Sequence, residues 1–401
     1  MKIASAASTD PNPHRAATKA HGMLVEKLGG PPQLMLVHSS CAYDNEALVG
    51  QLRTLAPGVP LQGGTSCLGV ITESGFQSRD GLGVGILGVL DPEGGYGVGI
   101  AESEDDPQSA ARSALDQALA EADRPGELPG VVVTTSYPGH EEFTIGAIED
   151  YLGANVPIIG GTSADNDMSG QWQQFGNDSV RRQAISVATL FPSGEIGYSF
   201  HSGYEPTRHR GRATRAEGRI LYEIDGRPAA RVYNEWTEGL IAELLPEGGN
   251  LVPTTAFTPL GNPVGQVGDI PYFRLSYPVE VLAGEALLLY TDVRKGCDLV
   301  LMTGTHDSLA TRAGRVAAAA VDAAPFRVDE IRGALVLFCA GCMLAIRDRM
   351  EEVVKNLRPA LGHAPFLTAF TLGEQGCFIG GENRHGNLMI AVLVFGPLRV
   401  E

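Results

Sequence analysis

The sequence contains Val59-Pro60-Leu61-Gln62-Gly63-Gly64-Thr65-Ser66 and, 97 positions later, the near copy Val156-Pro157-Ile158-Ile159-Gly160-Gly161-Thr162-Ser163. The same offset aligns Leu34-Met35-Leu36-Val37 with Val131-Val132-Val133-Thr134, and Ser39 with Ser136. One offset that holds without a gap over about thirty residues is far more specific than a repeated tetrapeptide. The pattern therefore predicts an internal duplication.

Each copy combines two short apolar runs with an amphipathic stretch between them. The apolar runs are too short for helices and have the composition of strands. In the first copy, Ala47, Leu48, Leu52 and Leu55 recur at helical spacing. A strand-helix-strand unit of this kind places its two strands parallel, so the loops after both strands open at one edge of the sheet. Ligands of open α/β sheets bind at that edge.

A third, diverged copy of the unit is predicted near the carboxyl end. Residues 335–338 supply the first strand, 343–357 the helix and 366–370 the second strand, followed by Gly373-Glu374-Gln375-Gly376-Cys377. Alanine-rich helical stretches precede all three units, which places the copies at about 13–102, 107–201 and 307–396.

The fold expected from these units is α/β, with duplicated strand-helix-strand units, mixed sheets flanked by helices, and two domains. The strands at 184–191 and 196–201 are predicted to form a hairpin around Pro192-Ser193-Gly194-Glu195. We place the boundary at the tight turn Asp225-Gly226, which gives domains 1–224 and 225–401.

Composition limits the class of protein. The 401 residues carry a net charge of −17, which argues against a surface for nucleic acid or anionic membrane. No apolar run approaches the roughly 18 residues of a membrane span, and the N-terminus lacks a signal sequence. Six cysteines are too few for a disulfide-stapled secreted scaffold. We expect a cytoplasmic protein with reduced thiols.

Polar loop residues are the main candidates for binding a small ligand. The paired glycines suit a sharp turn or a close approach of the backbone, and the hydroxyls, amides and carboxylates suit a small polar ligand, including an amino acid. The structural alternative is a strand-ending turn in which a serine caps a bend. The candidates are Ser39, Ser40, Gly63, Gly64, Thr65, Ser66, Ser136, Gly160, Gly161, Thr162, Ser163, Asp165, Asn166, Glu374, Gln375 and Gly376.

The cysteines are candidates for redox or metal chemistry, with inert buried thiols as the alternative. Cys339 and Cys342 form a Cys-x-x-Cys at a predicted strand-to-helix junction, where a helix N-terminus lowers a thiol pKa. Cys41 and Cys67 follow the two strands of the first copy, and Cys377 follows Gly376. A single Cys-x-x-Cys does not complete a zinc site, so no metal is predicted.

Histidines raise the possibility of haem. His38, His140 and His385 each lie at or near a predicted loop, and one imidazole can hold a haem iron. No Cys-x-x-Cys-His motif is present, so covalent attachment of haem is excluded. We expect no resident cofactor, with haem as the alternative.

An enzyme is the remaining alternative. Serine-rich loops with Asp165, Asn166, Glu374 and His385 can be drawn into a nucleophile-base set. The sequence has no Gly-x-Ser-x-Gly elbow, no phosphate loop and no Gly-x-Gly-x-x-Gly that opens a helix. These absences favour a binding protein over a cysteine-dependent redox or hydrolytic enzyme.

The order of these motifs resembles the FIST family over nearly the whole chain. The resemblance depends on Gly63-Gly64-Thr65-Ser66, on Asp225-Gly226-Arg227-Pro228-Ala229 with Tyr233, on Gly373-Glu374-Gln375-Gly376 and on His385-Gly386-Asn387. It implies an N-terminal and a C-terminal FIST domain and an intracellular sensory module for a small ligand, with amino acids proposed. It also implies that some members are haem-based nitric-oxide sensors acting on histidine kinases.

The resemblance has consequences for the partner and for one loop. Because this chain shows no output domain, its signal would pass to a separate partner. The family's usual arginine after the cysteine loop is not evident, since Cys339-Ala340-Gly341-Cys342 precedes Met343.

Overall fold

Three strand-helix-strand units organise the chain in a computed structural model, which describes residues 1–399 apart from 104, 154, 155, 253, 268, 269 and 379. The two central strands of each unit are parallel, as the sequence predicts. In equivalent positions of the three units, Ser39 lies opposite Thr65, Ser136 opposite Thr162, and Cys339 opposite Thr371. The predicted α/β fold is confirmed, whereas the common origin of the units stays a prediction.

The first unit ends with a hairpin and a long strand after its second parallel strand. Its elements are β1 (Lys2–Ser8), α1 (Pro13–Leu28), β2 (Leu34–Ser39), α2 (Asn45–Leu55), β3 (Leu61–Thr65), β4 (Val70–Thr72), β5 (Gly75–Gln77) and β6 (Val84–Leu90).

The second unit repeats this order of elements. They are β7 (Gly95–Glu102), α3 (Pro107–Ala122), β8 (Val131–Ser136), α4 (Glu141–Leu152), β9 (Ile158–Thr162), β10 (Gln174–Gly176), β11 (Ser179–Arg181) and β12 (Ala184–Phe191).

The third unit begins with β13 (Gly194–His201), and a separate sheet is inserted after this strand. The inserted sheet contains β14 (Glu205–Glu217), β15 (Ile220–Ile224), β16 (Arg227–Pro228), α5 (Ala229–Trp236), β17 (Gly249–Asn250), β18 (Leu260–Val267), β19 (Ile270–Ser276), β20 (Pro278–Leu282), β21 (Ala286–Leu289) and β22 (Asp298–Thr303). Its first and last strands pair, with Glu205 opposite Thr303, so the insertion leaves beside the point where it enters.

The chain then completes the third unit. Its remaining elements are α6 (His306–Asp322), β23 (Gly333–Cys339), α7 (Ala340–Ala345), α8 (Met350–Ala360), β24 (Phe366–Thr371), β25 (Glu374–Cys377), β26 (Asn383–Gly386) and β27 (Ile390–Leu398).

Each unit forms a six-stranded mixed sheet with the same strand order. The orders are β1-β6-β2-β3-β10-β11, β7-β12-β8-β9-β25-β26 and β13-β27-β23-β24-β4-β5. In every sheet the last two strands are a hairpin from another unit. The hairpin of the second unit, β10-β11, pairs in the sheet of the first unit. The hairpin of the third unit, β25-β26, pairs in the sheet of the second, and the hairpin of the first unit, β4-β5, pairs in the sheet of the third. This cyclic exchange ties the three units together through backbone hydrogen bonds.

One sequence-based expectation changes with this topology. The strands β12 and β13 do not pair with each other, because β12 joins β7 and β8 while β13 joins β27 in another sheet. The predicted hairpin at 192–195 is therefore wrong.

Four of the helices, α1, α2, α3 and α6, begin at a side-chain cap. Asn12, Asp44 and Asp106 each accept a hydrogen bond from a backbone N–H in the first turn of α1, α2 and α3, and Thr305 forms a capping box on α6. The alanine faces of these helices are buried against the sheets, as at Ala16, Ala17 and Ala20. Small side chains let helix and sheet approach closely, which leaves the loops at the strand ends as the places where ligands can enter.

The Asp225-Gly226 turn joins β15 and β16 within the inserted sheet. Both residues have positive φ, 50° and 75°, as a two-residue hairpin turn of the I′ type requires. The predicted tight turn is confirmed.

Candidate functional site

The Gly-Gly-Thr-Ser segments lie in equivalent, buried positions where the units meet. Ser66 donates its backbone N–H to the carbonyl of Ser39 (2.8 Å), and Ser163 makes the same bond to Ser136 (2.9 Å). The loops after both strands of a unit are thus neighbours, as the sequence predicts.

The glycines of these segments let neighbouring units touch. An alanine Cβ at position 64 would lie 2.4 Å from the Ser163 hydroxyl, and one at position 161 would lie 2.8 Å from the Thr371 side chain. Real Cβ contacts are longer than this, so the close approach explains these glycines without a ligand.

The predicted hydroxyls and amides bond to one another inside the protein. Thr134 donates to Gln375 Oε1 (2.7 Å), and Gln375 Nε2 donates to Ser136 Oγ (3.2 Å). This network gives these buried polar groups hydrogen-bond partners within the protein. The candidates that are buried in this way are Ser39, Ser40, Thr65, Ser66, Ser136, Thr162, Ser163, Glu374 and Gln375.

The segment Glu374-Gln375-Gly376 is not the structural counterpart of Gly63–Ser66 in the third unit. Because Cys339 pairs with Thr371, the equivalent of Thr65-Ser66 is Thr371-Leu372. The Glu374–Cys377 segment is instead the first strand of the hairpin lent to the second unit, where Gln375 lies opposite Gly160.

Asp165 and Asn166 hold a loop over the edge of the sheets. The Asp165 carboxylate accepts hydrogen bonds from the backbone N–H groups of Met168 (2.7 Å), Gly170 (2.6 Å) and Gln171 (2.9 Å). Asn166 Oδ1 accepts one from Leu68 (2.7 Å) in the first unit. These bonds fix Met168 above a cavity at this edge of the sheets.

A cleft with two lobes lies between the loops of the units and the inserted sheet. The first lobe has a volume of about 260 Å³ and the second about 280 Å³. Both are lined by Met168, Tyr290, Leu372 and Asn387, so they adjoin. The cleft lies beyond the carboxyl ends of parallel strands, where α/β sheets bind their ligands.

The walls of the first lobe are mostly apolar. The units contribute Cys67, Asp165, Asp167, Met168, Cys339, Ala340, Gly341, Leu344, Ala345, Leu372 and Asn387, and the insertion contributes Val252, Ala256, Tyr277 and Tyr290. Of the predicted site residues, only Asp165, Cys67 and Cys339 line this lobe.

The second lobe adds an ionic group that the sequence analysis missed. Arg219 Nη2 contacts Glu141 Oε2 (2.7 Å) and Glu142 Oε2 (2.8 Å), while Arg219 and Glu141 both line the lobe beside Pro138 and Trp172. His385 Nδ1 lies 3.0 Å from Glu142 Oε1. Asp292 Oδ1 lies 3.6 Å from Arg219 Nε, so three carboxylates surround one guanidinium at the wall of the cleft.

The charges of this group stabilise one another. Burial opposes ionisation of Glu142, but His385 and Arg219 hold the pKa of its carboxyl below the usual value. Burial also disfavours the charged guanidinium, yet Glu141 and Glu142 raise the pKa of Arg219 above its usual value. Both groups are therefore held in their charged forms as an ion pair at neutral pH.

Glu141, Glu142 and His385 offer three ligand atoms within 4.8 Å of one another. A cation would have to compete with the Arg219 guanidinium, which already contacts both carboxylates. The arrangement therefore favours an ion-pair cluster over a metal site.

The thiols fall into separate surroundings. Cys339 lines the first lobe and Cys342 is buried behind it, 3.6 Å from the Tyr204 hydroxyl. Burial raises the pKa of Cys41 and Cys67. Cys377 lies on the exchanged hairpin, where burial raises its pKa to about 11. Among the thiols of the described chain, Cys342 alone has a pKa below the ordinary value, because Cys339, Arg312 and Tyr204 outweigh the effect of its burial.

The histidines considered for haem do not fit this cleft. His38 is buried within β2, His140 packs against the ring of Tyr137 (5.1 Å between centroids), and His385 is bonded to Glu142. None of the described residues that line the two lobes is a histidine.

Among the described residues, no helix combines the length and apolarity that a membrane crossing requires.

Sequence comparisons assign the two halves of the chain to known domains. The FIST N domain profile matches residues 33–227 and the FIST C domain profile matches residues 229–377. An uncharacterized protein of Methanocaldococcus jannaschii is 36% identical over 90 residues, which are 22% of this chain and 18% of that protein. The match thus spans less than a fifth of that relative.

Comparisons with solved structures give only distant similarities. A cyanuric acid hydrolase has a TM-score of 0.34 at 10% identity, covering 98% of this chain and 99% of that one. The cyanuric acid hydrolase of A. caulinodans has a TM-score of 0.33 at 9% identity, covering 99% of each chain. The PurLQS structure from Thermotoga maritima has a TM-score of 0.23 at 9% identity, covering 98% and 72%. These scores are too low to carry any activity over to this chain.

The two profile matches meet at the Asp225–Ala229 junction and together cover most of the chain. The protein belongs to the FIST family, whose domains are recognised as small-ligand sensory modules.

Proposed function

We propose that this protein is a sensor that binds a small zwitterion, such as an amino acid, in the two-lobed cleft. The proposal depends on one observation: Arg219 and Glu141 present opposite charges at the wall of a largely apolar cleft. A guanidinium is suited to a carboxylate, and a carboxylate is suited to an amine.

The apolar walls accommodate the rest of such a ligand. Trp172, Tyr290 and Leu372 line the second lobe beside the charged pair, and the adjoining first lobe is lined by Tyr277 and Leu344. A ligand whose ammonium meets Glu141 and whose carboxylate meets Arg219 would extend an apolar side chain toward these residues. Small-molecule sites usually combine a few polar groups with a largely apolar cavity.

The position of the cleft supports a sensory role. Arg219 and Tyr290 belong to the inserted sheet, whereas Glu141 and Trp172 belong to the second unit. A ligand that contacts both the insertion and the second unit stabilises the conformation in which the two hold it together. The resulting shift in the population of conformations is the signal. We propose that a separate partner, such as a histidine kinase, reads that arrangement.

Thermal unfolding in the presence of amino acids tests the proposal. A matching amino acid at about 100 times its Kd should add about 2.7 kcal/mol to the free energy of unfolding. Arg219→Gln or Glu141→Gln should weaken binding more than about tenfold, because truncating a buried charge contact costs at least about 2 kcal/mol.

Two controls make the result specific. Arg227→Gln removes an exposed arginine of the same insertion that pairs with Glu235 outside the cleft, so it should leave binding unchanged. The amidated and the N-acetylated forms of the same amino acid should bind poorly. Equal stabilisation by the free and blocked forms, or none by any amino acid, would contradict the zwitterion.

A further inference from the structure

Cys339 and Cys342 are the ends of a Cys-x-x-Cys segment at the start of α7, beside a buried arginine. Cys339 closes β23 and Cys342 lies in the first turn of α7. Two cysteines three residues apart in a helical turn have Cα atoms about 5–6 Å apart, within the span that a disulfide bridges. In the described chain all six cysteines are reduced.

Arg312 places a positive charge beside this pair. Its side chain is fully buried on α6, where Nη1 donates to the carbonyl of Leu388 (3.0 Å) and the guanidinium lies over the rings of Phe338 (5.0 Å) and Tyr204 (5.5 Å). Within the described residues, Nε and Nη2 have no hydrogen-bond partner. An unpaired buried cation is costly, so a negative charge is expected beside it.

The groups around Arg312 identify where that negative charge resides. The neighbouring ionisable groups are Cys342, Cys339, Tyr204 and Glu374. Burial raises the pKa of Tyr204 and of Glu374, and the hydrogen bond with Cys342 and burial raise that of Cys339. Burial also opposes ionisation of Cys342, but bonds from Cys339 and Tyr204 and the charge of Arg312 lower its pKa below the ordinary value.

The first lobe of the cleft reaches Cys339, and Cys342 is buried directly behind it. Cys339 forms part of the wall of the first lobe, and Tyr204 contacts the Cys342 sulfur from the other side. By contrast, Cys67 lines the same lobe without a neighbouring cation and its thiol has a pKa raised by burial.

We propose that Cys342 and Cys339 form an oxidation site for hydrogen peroxide, in which the Cys342 thiolate reacts first and Cys339 closes a disulfide. The Cys342 sulfur attacks one peroxide oxygen, the O–O bond breaks, and Cys342 sulfenic acid and hydroxide form. The Cys339 sulfur then attacks the Cys342 sulfur, the S–O bond breaks, and the S–S bond forms. The sulfenic oxygen leaves as water with the Cys339 thiol proton, and the hydroxide takes one proton from solvent to give a second water. The two sulfurs lose two electrons, and these electrons reduce the peroxide.

Peptide mass spectrometry of the intact protein tests this site directly. Trypsin cleavage after Arg332 and Arg347 places both cysteines on one peptide. Peroxide should convert this peptide to a form lighter by two hydrogens, and a dithiol reductant should restore it. The peptides that contain Cys41 and Cys67 should react more slowly, because their thiols are less ionised.

Variants assign the roles of the individual residues. Cys339→Ser should accumulate a sulfenic acid on Cys342 that dimedone traps, whereas Cys342→Ser should not be labelled. Arg312→Met should slow the oxidation about tenfold or more by removing the charge that favours the thiolate, and Arg312→Lys should retain most of the rate.

Two outcomes would overturn the proposal. One is an unchanged dithiol peptide under conditions that oxidise Cys41 or Cys67. The other is dimedone labelling of Cys339 in Cys342→Ser at the rate expected for Cys342. If Arg312→Met does not fold, the two serine variants still decide the question.

Discussion

The Gly63→Ala variant is expected to lose about 3 kcal/mol or more of its free energy of unfolding. Gly63 lies opposite Val37 in the parallel pair of the first unit, and an alanine Cβ would lie 1.7 Å from the Val37 carbonyl oxygen. The backbone fixes the position of the Cβ, and the oxygen is itself a backbone atom, so rotating a side chain cannot relieve the clash. Overpacking of this kind is among the larger point-mutation effects. Urea unfolding monitored by circular dichroism measures the loss.

Gly22→Ala is the matched control for this substitution. Gly22 is exposed in the middle of α1, and an added Cβ meets nothing within 4 Å. Alanine has the better helix propensity, so this variant should gain about 1 kcal/mol. A Gly63→Ala protein as stable as the wild type would show that β2 and β3 do not approach as closely at Val37 as this structure has them.

The strand-helix-strand units could be predicted because their signals are local. The fully buried strands β2 and β8 begin with apolar runs, and the caps Asn12 and Asp106 precede alanine-rich helices. The hairpin exchange could not be predicted in this way. Short strands such as Val70–Thr72 and Glu374–Cys377 pair with strands of another unit, and nothing in their own sequence specifies the partner.

The candidate site was only partly predictable for a related reason. A hydroxyl such as that of Ser136 has the same chemistry whether it faces a ligand or Gln375, so its type does not reveal its partner. Arg219 and Glu141 are 78 positions apart and meet because the inserted sheet covers the second unit. The acidic pair Glu141-Glu142 directly after a strand-ending loop was the one local signal that pointed to this edge.

Protonation linked to His38 is expected to lower the free energy of unfolding by about 3 kcal/mol as the pH falls from 6.5 to 4. Each factor of ten in proton affinity between the folded and unfolded chain corresponds to about 1.4 kcal/mol. Its side chain is buried in β2, and Nδ1 has no hydrogen-bond partner among the described residues. Burial lowers the pKa of His38 from 6.5 to about 4. Between these values the unfolded chain binds the proton and the folded chain does not, so the stability is complete above pH 6.5 and falls as acid is added.

The His38→Gln variant isolates this contribution because glutamine is polar and does not titrate. Its free energy of unfolding should fall less steeply with pH over this window than that of the wild type, whatever its stability at pH 7.5. His201, whose pKa is also lowered by burial, contributes a loss of the same sign that both proteins share. Urea unfolding at a series of pH values gives the two slopes. Equal slopes would mean that His38 takes up its proton in the folded protein as readily as in the unfolded chain, which requires water or a polar group beside Nδ1.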